Sequence, residues 1–169
     1  SIHGAEVQGY AVILNLIEYF KKNPPLGNIT LVPLANPQGL NHKIGEYTAG
    51  RFDAFSGDNW NRGYWDFSTK EIELFLKKHD ALSYEEIVPH FKNDMHKTLL
   101  NKIENAPSYS KKICYQLQSM SCMHDIVLDL HCDTVSVPHV YAPTFAMEEV
   151  KSLGLPFVIE IPHQFSGAL

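Results

Sequence analysis

Three residues of this chain have the type and placing to hold a metal ion. His3 and Glu6 stand three apart at the start of a helical pattern, an offset that lets an imidazole and a carboxylate converge on one point. His131 follows the apolar run 125–130 (DIVLDL), and in open α/β sheets ligand sites lie outside the carboxyl ends of strands, so it is the candidate third ligand. Two histidines and one glutamate make a catalytic zinc set that leaves a coordination position for water. The same residues also read as a terminal histidine, a carboxylate favoured by a helix dipole and a loop histidine, and H-x-x-E spacing alone leaves both readings open.

A second group lies in the glycine-containing stretch 50–62 (GRFDAFSGDNWNR). Arg51, Asn61 and Arg62 suit the recognition of a small carboxylate through paired hydrogen bonds. Alternatively the arginines pair with Asp53, Asp58 and Asp66 and pin the loop. Trp60, Tyr64 and Trp65 either line a substrate mouth or fold this stretch onto the core. Cys132 and Asp133 read as pocket groups or turn residues, and Cys132 as a nucleophile would need a base such as His139 or His163. His42, His79, His90, His96 and His124 fall on loops or helix surfaces, where solvated histidine is the default reading.

Local patterns supply the elements that must position these groups. Val7, Tyr10, Ala11, Leu14, Ile17 and Phe20 recur at helical spacing, which predicts a helix over 5–22 that stops at Asn23-Pro24-Pro25. Residues 28–34 (NITLVPL) and 125–130 read as strands. Residues 35–67 carry no sustained period, and a loop of that length inside a domain is functional or disordered. Ser68 with Glu71 and Ser83 with Glu86 are capping boxes that predict helices over 69–79 and 84–104. A further helix over 108–123, strands over 137–141 and 157–161 and a short helix over 147–153 complete an alternating α/β pattern.

Composition narrows the class. The chain has 169 residues, 44% hydrophobic and 20% charged, enough for a sizeable core. No run approaches the roughly 18 to 20 apolar residues of a membrane span, and the first residues have no signal-peptide pattern. A net charge of -5 argues against a nucleic-acid surface, which needs clustered cations. Three cysteines without C-x-x-C spacing suit a reducing compartment, so a cytoplasmic location is expected.

His3-Gly4-Ala5-Glu6, Asn36-Pro37 after a strand, Gly50-Arg51-Phe52-Asp53, Asp58-Asn59-Trp60-Asn61-Arg62 and Asp129-Leu130-His131 come in an order and approximate spacing that resembles the succinylglutamate desuccinylase/aspartoacylase family. That family belongs to the wider zinc carboxypeptidase-like group, and the resemblance runs from His3 to about Leu169. It implies an α/β fold with a mixed, largely parallel sheet flanked by helices, zinc carboxypeptidase-like (phosphorylase/hydrolase-like). It also implies truncation at both ends, because strands that precede H-x-x-E in the family and its carboxyl-terminal β-rich region have no counterpart here. Residues 1–169 would then be a single, partial catalytic zinc-hydrolase domain.

By this resemblance His3, Glu6 and His131 are expected to hold Zn2+, Arg51 to polarise the scissile carbonyl, and Asn61 and Arg62 to grip the substrate carboxylate. The interval from Arg51 to Asn61 is longer than in the aspartoacylase branch. The family's general base is a glutamate after a later strand, downstream of the stretch matching Pro156 to Pro162. Glu160 is the nearby carboxylate here, read as base, strand-end group or pocket lining. The expected activity is zinc-dependent hydrolysis of the amide of an N-acylated amino acid or similar small carboxylate. The alternatives are a metallocarboxypeptidase acting on short peptides and a non-catalytic carboxylate-binding module. The partner is a small-molecule substrate, neither nucleic acid nor membrane, and homo-oligomerisation is left open.

Overall fold

Helix α1 (Gln8–Lys22) starts three residues later than its apolar pattern predicts, because His3 to Glu6 is occupied by a turn in which Glu6 N–H donates to the His3 carbonyl at 3.0 Å. It ends with Lys21 and Lys22 against the helix dipole, and Asn23 N–H closes on the Tyr19 carbonyl. The computed structural model describes residues 1–48, 50–133 and 135–162. Residues 1–131 form one compact unit, and a second begins at Cys132. Among the described residues no helix is long and apolar enough to cross a membrane.

The expected loop at 35–67 contains short elements. Helix α2 (Pro37–Asn41) is capped by Asn36, whose side-chain oxygen accepts Gly39 N–H at 2.8 Å while its amide donates to the Ile2 carbonyl at 2.9 Å. Asn36 is fully buried, so one side chain ties the chain's opening to the start of this helix. Strands β1 (Lys43–Ile44) and β2 (Tyr47–Thr48) pair as an antiparallel hairpin. Residues 51–60 then fold back, with Trp60 N–H on the Arg51 carbonyl and Asp53 N–H on the Asp58 carbonyl. Gly57, at φ 75°, takes the left-handed conformation this reversal needs.

Helices α3 (Thr69–Lys78), α4 (Tyr84–Glu104) and α5 (Tyr109–Ser121) follow the pattern closely, and both capping boxes form reciprocally. α5 packs along α4 and also grips the segment 60–65: Cys114 Sγ donates to the Trp60 carbonyl, and Gln118 bonds both backbone groups of Trp65. Trp60, Ile2, Ile113 and Leu117 make a buried cluster with Tyr64 and Ala35 against it. The aromatic stretch therefore folds onto the core, and burial holds the Tyr64 phenol far above its ordinary pKa. His96 is also tied inward, 2.9 Å from Ser119 Oγ, and His79 stacks on His90, so neither is merely solvated.

The predicted sheet is only partly formed among the described residues. Segments 28–34 and 125–130 pair with no strand among the described residues, so the expected mixed sheet is present only in part. With α1 and α5 they line an apolar cleft of about 490 Å³. In the second unit, β3 (His139–Pro143) and β4 (Phe157–Ile161) pair in parallel across helix α6 (Met147–Lys151), with Ala142 opposite Glu160.

Candidate metal centre

Two close backbone approaches bring the opening turn and His131 together. Gly4 lies so near α2 that a Cβ there would sit 2.0 Å from the Gly39 carbonyl carbon and oxygen. Its N–H donates to the Gly50 carbonyl at 2.7 Å, which places the turn beside the segment carrying Arg51. Gly9, in the first turn of α1, lies against Leu130, where a Cβ would be 3.0 Å from that leucine's own. The residue after Leu130 is thus delivered next to Glu6.

The resulting geometry is compact. His3 Nδ1 is 2.8 Å from Glu6 Oε1, and His131 Nδ1 is 2.7 Å from Glu6 Oε2. One ligand atom from each of the three residues lies within 4.8 Å of the others. His3 and Glu6 are buried, whereas His131 keeps 32% of its side chain open, so the cluster has a closed side and an accessible one. Two imidazoles and a carboxylate suit a divalent transition ion and leave room for water or substrate. The hydrogen bond to Asp129 raises the His131 pKa; burial opposes the shift and the Glu6 carboxylate reinforces it.

The anion-recognition residues meet the same cluster unequally. Arg51 NH2 donates to Glu6 Oε1 at 3.3 Å with half its side chain exposed, so its cation borders the ligand set. Asn61 is buried and its amide nitrogen lies 3.0 Å from His131 Nε2. Arg62 is exposed and donates to the Asn61 carbonyl at 2.6 Å. Of the three aspartates that might have pinned the loop, Asp53 accepts from Phe55 N–H and Ser56 and Asp58 from serines 108 and 110. Turn contacts within the loop hold Asp53, and serines at the start of α5 hold Asp58.

Glu160 lies on β4 of the second unit, where its carboxylate accepts Thr144 Oγ1–H at 2.6 Å. His139 bonds the Val137 carbonyl at 2.8 Å, and Cys132 is in no disulfide among the described residues. His163 lies outside the described residues.

Two further contacts hold the histidine rings. Asn59 Oδ1 is 3.0 Å from His3 Nε2, and Asp129 Oδ2 is 2.6 Å from His131 Nε2. The signal was present: Asp129 and His131 are two apart on an extended segment, and alternate residues of such a segment share a face.

The match to known proteins decides the family. The model of the succinylglutamate desuccinylase/aspartoacylase catalytic domain covers residues 1–165. The chain belongs to the succinylglutamate desuccinylase/aspartoacylase family. A crystal structure of a succinylglutamate desuccinylase/aspartoacylase family protein from Shewanella amazonensis is 39% identical, with a TM-score of 0.89 over 99% of this chain and 46% of its own. A second, from Shewanella frigidimarina and described as a succinylglutamate desuccinylase/aspartoacylase, is 38% identical, with a TM-score of 0.90 over 99% of this chain and 45% of its own. The chain therefore spans less than half the length of these family members. The comparison with curated proteins returns no match. His3, Glu6 and His131 are a group that could hold a metal ion.

Proposed function

We propose that the protein to which this chain belongs is a zinc-dependent hydrolase that cleaves the amide bond of an N-acylated amino acid or a similar small carboxylate. The convergence of His3, Glu6 and His131 within 4.8 Å carries this reading. The likeness to family structures further supports a zinc carboxypeptidase-like fold, and three cysteines with no disulfide among the described residues suit a cytoplasmic setting.

His3, Glu6 and His131 would hold zinc, which when bound supplies Lewis acidity toward water and the scissile carbonyl. Arg51, whose guanidinium borders Glu6, meets the negative charge that grows on the carbonyl oxygen. Asn61 and Arg62 hold the substrate carboxylate, with Asn61 fixed by burial and Arg62 free to reach from the exposed side. Proton transfer to the leaving amine needs another carboxylate. Glu160 is the candidate this chain offers, although its engagement with Thr144 favours a structural part.

The test is incubation of the full-length protein with N-acetyl and N-succinyl amino acids, with short peptides as a parallel arm, while free amine is measured. Amine release from an acyl amino acid that stops on chelation and returns with zinc is expected. Turnover of peptides alone, or turnover indifferent to chelation, would overturn the reading. Glu160→Gln in the same assay is expected to leave kcat unchanged; a fall of about 10²- to 10⁴-fold would instead make it the proton-transfer group.

A further inference from the structure

The ring nitrogens that face away from Glu6 are as closely held as those that face it. Asn59 Oδ1 accepts the backbone N–H of Asn61 at 2.9 Å, and a backbone N–H can only donate, so the atom shared with His3 is an oxygen. His3 Nε2, 3.0 Å from that oxygen, must therefore be the N–H of the ring. Likewise the Asp129 carboxylate only accepts, which puts an N–H on His131 Nε2 at 2.6 Å. In a neutral imidazole a proton on Nε2 leaves Nδ1 with its lone pair. Both bare Nδ1 atoms then point at Glu6 oxygens, 2.8 and 2.7 Å away. Lone pairs facing carboxylate oxygens at that range repel unless a metal ion or a proton lies between them, and a metal ion serves both rings at once.

We propose that Asn59 and Asp129 are the positioning residues of this centre, each accepting the Nε2–H of one histidine and so fixing both rings in the tautomer that turns Nδ1 toward a metal ion. The inference rests on the zinc reading above. The two acceptors differ in kind. Asn59 is a neutral amide held by the loop backbone, whereas Asp129 is an anion placed by the period-2 geometry of the segment that delivers His131. Hydrogen bonding to a carboxylate makes an imidazole a stronger donor to metal. A consequence follows for Asn61, whose amide nitrogen lies 3.0 Å from the same Nε2 and whose Oδ1 is buried without a partner. With Nε2–H donating, that amide turns half a rotation so that its oxygen meets the ring.

Metal affinity of the full-length protein tests this directly, by zinc competition against a chromophoric chelator and by the visible spectrum of the Co(II)-substituted protein. Asp129→Ala is expected to weaken zinc binding about 10- to 100-fold and to shift the cobalt spectrum. Asp129→Asn, which keeps an acceptor oxygen, should restore part of the affinity. Asn59→Asp, which keeps the acceptor and adds charge, should bind zinc at least as tightly as the parent. Circular dichroism melts of the metal-free variants separate affinity from folding. Zinc affinity and cobalt spectrum unchanged in Asp129→Ala, with His131→Ala losing the metal, would overturn the positioning roles and leave the zinc reading standing. His131→Ala retaining zinc at parental affinity would remove the metal reading itself, and this inference with it.

Discussion

Arg62 shows how burial divides labour between neighbouring residues. Asn61 is buried beside the His131 ring, while Arg62 is exposed with one guanidinium nitrogen on the Asn61 carbonyl. An exposed arginine without an acidic partner in the ligand cluster has little structural work, so its removal should act on substrate rather than on metal. Arg62→Ala is expected to raise KM about 10- to 100-fold, the equivalent of roughly 1.5 to 3 kcal/mol for a charged hydrogen bond, with zinc content unchanged. Steady-state kinetics together with metal analysis check this, and an unaltered KM removes Arg62 from substrate recognition. The metal-ligand types could be read from H-x-x-E and the strand-end histidine. Of their orienting partners, Asp129 is signalled by its two-residue offset from His131, but Asn59 acquires meaning only once the His3 ring is in place.

At the scale of elements, short-range chemistry was legible and long-range chemistry was not. Ser68 with Glu71 and Ser83 with Glu86 announce α3 and α4 because a capping box is completed within four residues. The stretch 35–67 resisted reading because its order comes from afar: Asn36 answers to Ile2, Gly39 to Gly4, and Trp65 to Gln118. Gly4 is the sharpest case. Gly4→Ala would force a methyl into the α2 backbone, and overpacking of this kind costs about 1 to 3 kcal/mol or more. A lower urea midpoint together with weaker zinc binding is expected, since the same turn carries His3 and Glu6; an unchanged midpoint would show that the turn is not anchored there.

The start of α5 gives a pH-dependent counterpart. Ser110 donates to Asp58 and, with Ser56, Ser108 and Lys111, lowers that carboxyl below its ordinary 3.8 against the opposing effect of burial. A folded-state pKa below the unfolded one means stabilisation that is present above pH 3.8 and is lost as pH falls through the folded value. Ser110→Ala should therefore be less stable than the parent at neutral pH, and the gap should narrow as the medium is acidified below that point. Denaturant melts across acidic and neutral pH check it, and a gap that stays constant with pH would refute the Asp58 assignment.

Across the whole molecule, the α/β character was readable from apolar runs between capped helices, but the sheet was not. Runs such as 125–130 show that a segment is extended and buried on both faces in intent; they do not name its neighbours. Ile126 and Leu128 are accordingly exposed, and the parallel pair β3 and β4 is the part of the predicted sheet seen here. The three candidate metal ligands do not suffer from this, because they lie within the first compact unit, joined by close approaches at Gly4 and Gly9 and by the Asn36 side chain. Its identity as a zinc site is tested most directly by anomalous diffraction at the zinc edge from crystals of the full-length protein. One peak about 2.0 to 2.1 Å from Nδ1 of both His3 and His131, with Glu6 oxygen alongside, is the predicted result. An active, crystalline protein with no peak among these three side chains would contradict the account.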